Sequence, residues 1–288
     1  MVRRFVPRVF RFRAPVWQAD VDAFGELRTA TLVRFLQETA TRASNDAGFD
    51  PAYYLRTGSL WLVRRTMLTR FAPASYGDEL EGRTWVADFR RVRSQRDYEV
   101  HAGERLVARA STDWVFVDRT SGQPKRVPKE IEEAFQAEGT VPATRNPFPA
   151  PPEPAHATRF TRRVELHDLD ALAHVNNATY LHYVEQAAED ACAALGWPLD
   201  AQLAAGGRLR PVAHDIEYRD AALYADTIEV ATWPVVVGTR EVERQTILRR
   251  QASAGVLVRV VSRYVWTTLG GNEAALPAAL RNALSGGA

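Results

Sequence analysis

The chain repeats itself at an offset of 148 residues, and this constrains its fold more than any other feature. Asp20-Val21-Asp22-Ala23 falls on Asp168-Leu169-Asp170-Ala171, Ala30-Thr31 on Ala178-Thr179, and Gly48 on Gly196. Further along, Tyr76, Asp78, Glu81, Thr84 and Trp85 meet Tyr224, Asp226, Glu229, Thr232 and Trp233. Set against each other without a gap, positions 20–85 and 168–233 give 16 identities in 66 pairs, well above chance even for an alanine-rich chain. Two copies are too few for a solenoid, so the economical explanation is duplication of one domain-sized unit. The expected division is a first unit at 1–136, a linker at 137–157 and a second unit at 158–288. Pro142, Pro147, Pro149, Pro151, Pro152 and Pro154 crowd the linker, which lacks a periodic apolar pattern.

Each unit carries the same coarse pattern. A strand opens it, with Phe10, Phe12 and Ala14 alternating with arginines in the first unit and Phe160, Arg162 and Val164 in the second. A polar loop with two aspartates follows, then a helix. The helix buries Leu32, Phe35, Leu36, Thr39 and Ala40 on one stripe, and Tyr180, Tyr183, Val184, Ala187 and Ala188 on its counterpart. Gly48 and Gly196 stand where a helix C-terminal glycine belongs. Four strands complete each unit, at 60–71, 79–90, 95–101 and 105–117, then at 209–219, 227–237, 241–250 and 256–268. Most alternate with period two, which favours antiparallel pairing with one covered face. Short helices at 129–136 and 277–284 close the units. This is an α+β plan in which each sheet buries its face on one helix: two tandem hot-dog units forming an intrachain pseudo-dimer, antiparallel sheets around central helices.

Composition narrows the function. Lys+Arg 37 against Asp+Glu 35 leaves a net charge of +2, and no basic block is dense enough for a nucleic-acid arm. The one cysteine, Cys192, excludes an internal disulfide framework and any CxxC metal site, and it sits on a small-residue stripe with Ala188 and Ala191. No apolar run approaches the ~18 residues of a membrane span, and the arginine-rich start lacks the apolar stretch of a signal peptide. A cytoplasmic protein without membrane contact, cofactor or metal is expected. GxSxG, GxGxxG and P-loop patterns are missing, which disfavours a nucleophilic serine hydrolase and the usual nucleotide sites.

The segment richest in chemistry is His167-Asp168-Leu169-Asp170-Ala171-Leu172-Ala173-His174-Val175-Asn176-Asn177-Ala178-Thr179-Tyr180, between the opening strand and the central helix of the second unit. Asp-x-x-x-His-Val-Asn-Asn before an aromatic-rich amphipathic helix resembles the hot-dog thioesterases, and among them the acyl–acyl carrier protein (acyl-ACP) thioesterases. Leu36-Gln37-Glu38-Thr39-Ala40 and Tyr76-Gly77-Asp78 are similar to segments of that family's N-terminal unit. The resemblance covers most of the chain, including the two-unit layout. It implies release of a free fatty acid from an acyl thioester. It also implies that the first unit houses much of the acyl chain, with Trp61, Leu62 and Val63 as candidate lining.

Thioester hydrolysis suits these residues. A thioester carbonyl lacks most of an amide's resonance, so a placed water and a stabilised oxyanion suffice. Asp170, ahead of a helix, is the candidate general base, or a nucleophile forming a transient anhydride. The first N–H groups of the helix, near Asn177 and Ala178, are candidate oxyanion donors where the macrodipole favours negative charge. His174 is a candidate donor to the carbonyl or orienter of the water. Asn176 is a candidate site residue or a cap that holds the loop, and Glu185 a second carboxylate if it faces the loop. The His167/Asp168/Asp170/His174 group matches no metal template.

The chain departs from the family at two places. The family has Asn two residues after its catalytic Asp, where this chain has Leu172. It also has an acidic residue and in some members a Cys after a Glu-Tyr-Arg-like strand. Here Glu217-Tyr218-Arg219 is followed by Asp220, Ala221 and Ala222. The first unit has Glu26 and Arg28 in place of His174 and Asn176, which argues against a second full site.

The expected function is acyl-ACP thioesterase-like hydrolysis. The alternatives are an acyl-CoA thioesterase or a non-catalytic acyl-binding hot-dog protein. A hydratase ranks below these because its Asp–His spacing is five rather than the four seen here. Arg90, Arg91, Arg93 and Arg96, or Arg249 and Arg250, are candidates for meeting an acidic carrier protein or a phosphopantetheine phosphate. No nucleic-acid partner is expected, and association into a homo-oligomer stays open.

Overall fold

The computed structural model describes residues 8–135, 148–149 and 151–286. It separates into two compact units, Met1–Pro147 and Phe148–Ala288, with the boundary inside the proline-rich segment. Positions 137–147 and 150 of the expected linker, and residue 136 of the expected helix, lie outside the described residues.

The first unit opens with β1 (Phe10–Pro15). The central helix α1 (Thr29–Asp46) and a short α2 (Pro51–Arg56) follow. Strands β2 (Ser59–Arg70), β3 (Glu79–Arg90), β4 (Arg93–Ala102) and β5 (Arg105–Asp118) come next, then α3 (Lys129–Ala134). The strands pair antiparallel in the order β1-β3-β4-β5-β2. Leu32, Val33, Leu36 and Ala40 of α1 are buried, as the 3.6-residue period requires for a helix lying on a sheet. α1 comes close to β3 because Gly82 has no side chain: a Cβ there would lie 2.8 Å from the Phe35 ring. A second apolar cluster, Phe49, Val86, Phe116, Ile131 and Phe135, seats α3 on the sheet, with Trp61 packed against it.

The second unit repeats the plan. β6 (Thr158–Arg163), the central helix α4 (Thr179–Ala194) and a short α5 (Leu199–Ala204) lead into the remaining strands. These are β7 (Gly207–Tyr218), β8 (Thr227–Val237), β9 (Glu241–Arg250) and β10 (Val256–Thr268), closed by α6 (Ala278–Gly286). The antiparallel order is β6-β8-β9-β10-β7. α4 buries Tyr180, Leu181, Tyr183, Val184, Ala187, Ala188, Ala191 and Cys192. Each large side chain so buried is worth about 1.5–3 kcal/mol before entropy is charged against it. Cys192 packs with Val242, Trp266, Leu276, Leu280 and Leu284, and burial pushes its thiol up to about 11.

The tandem antiparallel hot-dog plan and the eight long strands match the pattern expected from alternation. The two short helices α2 and α5 were not anticipated. Asp50 caps α2 by accepting from the Tyr53 N–H at 2.7 Å, with Pro51 at the first helical position.

Candidate active site

The loop between β6 and α4 is built from its own backbone and aspartates. The Asp170 N–H donates to the His174 carbonyl at 2.8 Å and the Ala173 N–H to the Asp170 carbonyl at 2.9 Å, closing a tight turn. Asp170 Oδ1 accepts from the Leu172 N–H at 2.9 Å. The turn needs a left-handed residue, and Ala173 takes that role at φ +60.

One step back, Asp168 is buried. Its Oδ2 accepts from the Tyr183 hydroxyl at 2.6 Å and from the Glu165 N–H at 2.8 Å, tying the loop to α4. Burial, and then the Asp168 carboxylate, push the Tyr183 hydroxyl pKa up.

A second segment, residues 219–226, lies against this loop. The Val175 N–H donates to the Ala222 carbonyl at 2.9 Å, and the Ala222 N–H donates to the Tyr180 hydroxyl at 3.0 Å. Burial pushes that hydroxyl up to about 12. Arg250 fastens the segment from β9, with Nε on Asp226 at 2.9 Å, Nη1 on Asp220 at 3.0 Å and Nη2 on the Ala221 carbonyl at 2.7 Å. This is the stretch in which family resemblance looks for an acidic residue. Ala221 and Ala222 supply none, and Asp220 is held by Arg250.

The expected residues therefore separate. Asp170, His174 and Asn176 share the loop. Asn176 works as a tie: its Oδ1 accepts from the Ala178 N–H at 2.9 Å and its carbonyl from the Thr179 N–H at 2.8 Å. Ala178, expected to offer its N–H to an oxyanion, has already spent it; the Asn177 N–H enters neither bond. Glu185 meets β7, with Oε1 3.4 Å from His214 Nε2. His214 was missed by sequence reasoning. The signal available was an imidazole at an inward position of an alternating strand, where its neighbours Val212 and Ile216 are also buried.

The arginines expected to meet an acidic carrier mostly have partners within their own unit. Arg90 bonds Asp88, Arg249 bonds Glu153, Arg250 is committed as above, and Arg96 is buried over the Phe135 ring at 4.9 Å. Arg91 and Arg93 stay exposed. Among the described residues no group of three or more His, Cys, Asp and Glu could hold a metal ion. No helix among them is long and apolar enough to cross a membrane.

In the first unit the same turn recurs, with Asp22 Oδ1 also accepting from the Glu26 N–H at 3.0 Å. Asp22 N–H donates to the Glu26 carbonyl at 2.8 Å, Gly25 N–H to the Asp22 carbonyl at 3.1 Å, and Asp22 Oδ1 accepts from the Phe24 N–H at 2.8 Å. Glu26 and Arg28 replace His174 and Asn176, so the turn is duplicated and its histidine is not.

Comparison with known proteins agrees with this architecture. Residues 7–135 match the model of the acyl-ACP thioesterase N-terminal domain, and residues 164–284 that of the thioesterase-like superfamily. Each unit is thus matched by its own thioesterase model, and neither match alone spans half of the chain. A chloroplastic acyl-[acyl-carrier-protein] hydrolase of Cuphea viscosissima is 25% identical over 191 residues, covering 61% of this chain and 46% of the relative. The chain thus spans about half the length of the curated relatives it matches. An acyl-CoA thioester hydrolase of Escherichia coli is 28% identical over 131 residues, 44% of this chain and 96% of that protein. The 12:0-ACP thioesterase of Umbellularia californica superposes with a TM-score of 0.71 at 16% identity, covering 90% of this chain and 94% of that one. An acyl-ACP thioesterase of Bacteroides thetaiotaomicron gives 0.70 at 16% identity, covering 89% and 97%. These two likenesses establish the tandem hot-dog fold.

Proposed function

We propose that the chain hydrolyses acyl thioesters, releasing a free fatty acid from acyl carrier protein or coenzyme A, in the cytoplasm and without metal or organic cofactor. The observation that carries this is the position of Asp170. It lies in a turn fixed by backbone bonds, in the loop that leads into α4, with its Oδ1 engaged by the Leu172 N–H and, among the described residues, its Oδ2 in no hydrogen bond.

In this reading Asp170 takes a proton from the attacking water. The water oxygen bonds to the thioester carbon, the carbonyl electrons move onto oxygen, and collapse expels the thiolate, which takes the proton held by Asp170. The tetrahedral oxyanion is stabilised by the positive end of α4, with the Asn177 N–H as the candidate donor. His174 orients the water or donates to the carbonyl. Asn176 is a positioning residue that holds the helix start.

The likeness to an acyl-CoA thioester hydrolase supports the coenzyme A carrier, and the family's first-unit model supports the acyl-ACP carrier. A second reading is favoured by one observation: Asp22 makes the same turn as Asp170 in a unit without the histidine. If the aspartate serves only the turn, the protein binds acyl groups without cleaving them. Free-thiol release from acyl-CoA and acyl-ACP by the wild type separates the two. Ligand binding with no thiol release would leave the binding reading standing and remove the hydrolase.

A further inference from the structure

Tyr218 closes β7 as Arg70 closes β2, 148 positions earlier in the duplicated chain. Both side chains are buried, and each reaches the start of the central helix of its own unit. Arg70 Nη2 donates to the Leu27 carbonyl at 2.8 Å and Nη1 to Thr29 Oγ1 at 3.2 Å, with Glu26 3.8 Å away. Tyr218 instead donates its hydroxyl to the Asn177 carbonyl at 3.1 Å. His174 stands where Glu26 stands, so a glutamate and an arginine in one unit are exchanged for a histidine and a tyrosine in the other. The two exchanges belong together, because a buried guanidinium in place of Tyr218 would lack the carboxylate that Arg70 has beside it.

The exchange changes what the helix start is tied to. Tyr218 holds the carbonyl of the peptide joining Asn177 to Ala178, and Asn176 Oδ1 holds the N–H of that same peptide at 2.9 Å. The preceding peptide carries the Asn177 N–H, and its Asn176 carbonyl is held by the Thr179 N–H at 2.8 Å. Both planes that flank the Asn177 Cα are therefore pinned, and since each peptide is rigid the direction of the Asn177 N–H is set with them. That N–H makes no hydrogen bond among the described residues. The phenol is itself seated, its ring 6.2 Å from that of Tyr180, whose hydroxyl accepts from the Ala222 N–H. The first unit has Leu32 in place of Tyr180 and still forms the turn at Asp22, so these phenols are not what folds the turn.

We propose that Tyr218 is a positioning residue, which keeps the Asn177 N–H aimed at the developing oxyanion without touching substrate. The inference rests on the hydrolase reading, in which that N–H is the candidate donor. A donor lowers the barrier only if it already points at the place where charge develops. Without the phenol, the Asn177–Ala178 peptide is held at its N–H alone and can tilt, and small misplacements of a catalytic group are costly. The interaction with the oxyanion exists only in the transition state, so its loss falls on kcat and leaves KM in place.

The test is Tyr218→Phe in the full chain, with Tyr264→Phe, a buried tyrosine on β10, as the matched loss of a hydroxyl. Thiol release is followed from decanoyl-CoA and decanoyl-ACP. Tyr218→Phe is expected to lower kcat at least about tenfold with KM within about twofold, while Tyr264→Phe leaves both within about twofold. Asp170 and His174 are untouched, so the pH profile of kcat should fall uniformly and keep its shape. Amide hydrogen exchange, read by NMR without substrate, should be at least about tenfold faster at Ala178 in Tyr218→Phe and unchanged in the middle of α4. A kcat within about threefold of wild type, an equal loss in Tyr264→Phe, or unaltered exchange at Ala178 would each overturn the proposal. Failure of Tyr218→Phe to fold would overturn it too, since the hydroxyl would then serve stability. Faster exchange at Ala178 with no thiol release by the wild type would discard the hydrolase reading and leave the tie between Tyr218 and the Asn177 peptide in place.

Discussion

Tyr183 Oη donates to Asp168 Oδ2 at 2.6 Å across 15 residues of sequence, and this bond fixes the candidate catalytic loop to the central helix of its own unit. Asp168 is buried, so the bond is charge-assisted and water does not compete for it. Tyr183→Phe is expected to lower stability by about 1.5–3 kcal/mol, measured by urea denaturation. A change below about 0.5 kcal/mol would show that the Glu165 N–H alone satisfies the carboxylate.

Asp170→Asn tests the proposed base with little structural disturbance, because the amide oxygen can still accept from the Leu172 N–H. Thiol release is expected to fall at least about a hundredfold, on the order of 3 kcal/mol of barrier, with the melting temperature nearly unchanged. Asp22→Asn in the first unit makes the same change in the duplicated turn and should leave turnover within about twofold. Undiminished turnover in Asp170→Asn would eliminate Asp170 as the base.

Ala173 occupies a left-handed conformation that Gly25 fills in the first unit, at φ +60 and +76 respectively. An L-residue there costs about 1–2 kcal/mol, partly offset by the extra freedom glycine gives the unfolded chain. Ala173→Gly should therefore stabilise the protein by about 0.5–1 kcal/mol, read as a shifted urea midpoint. A loss of stability would mean that the methyl group makes packing contacts worth more than the strain.

Much of this fold was legible because alternation over ten or more residues leaves a clear mark, as β7 and β10 show. α2 and α5 are six residues each, too short for a helical period to stand out from a loop. The loop with Asp170, His174 and Asn176 was found because its motif is contiguous. The contact of Glu185 with His214 was not legible, because helix position alone does not say which strand a side chain faces, and His214 is 29 residues away on β7. The use of the Ala178 N–H by Asn176 is likewise a matter of geometry that residue order does not record.

The last expectation concerns acid. Glu81 on β3 is hydrogen-bonded by Arg83 and by Arg13 of the edge strand β1, and these bonds hold its carboxyl at about 2. Its unfolded value is the ordinary 4.5, so the folded state binds this proton less readily than the unfolded chain. Stability from this carboxylate is therefore fully present above its ordinary value and is lost as pH falls through the folded value, between about pH 5 and about pH 2. Glu81→Gln removes the ionisation and should flatten that part of the profile, measured as urea midpoints at several pH values. Because Arg13 is largely exposed, the effect is expected to be small and to shrink further in high salt. An acid profile identical in wild type and variant would show that the β1–β3 edge is held by its backbone ladder alone.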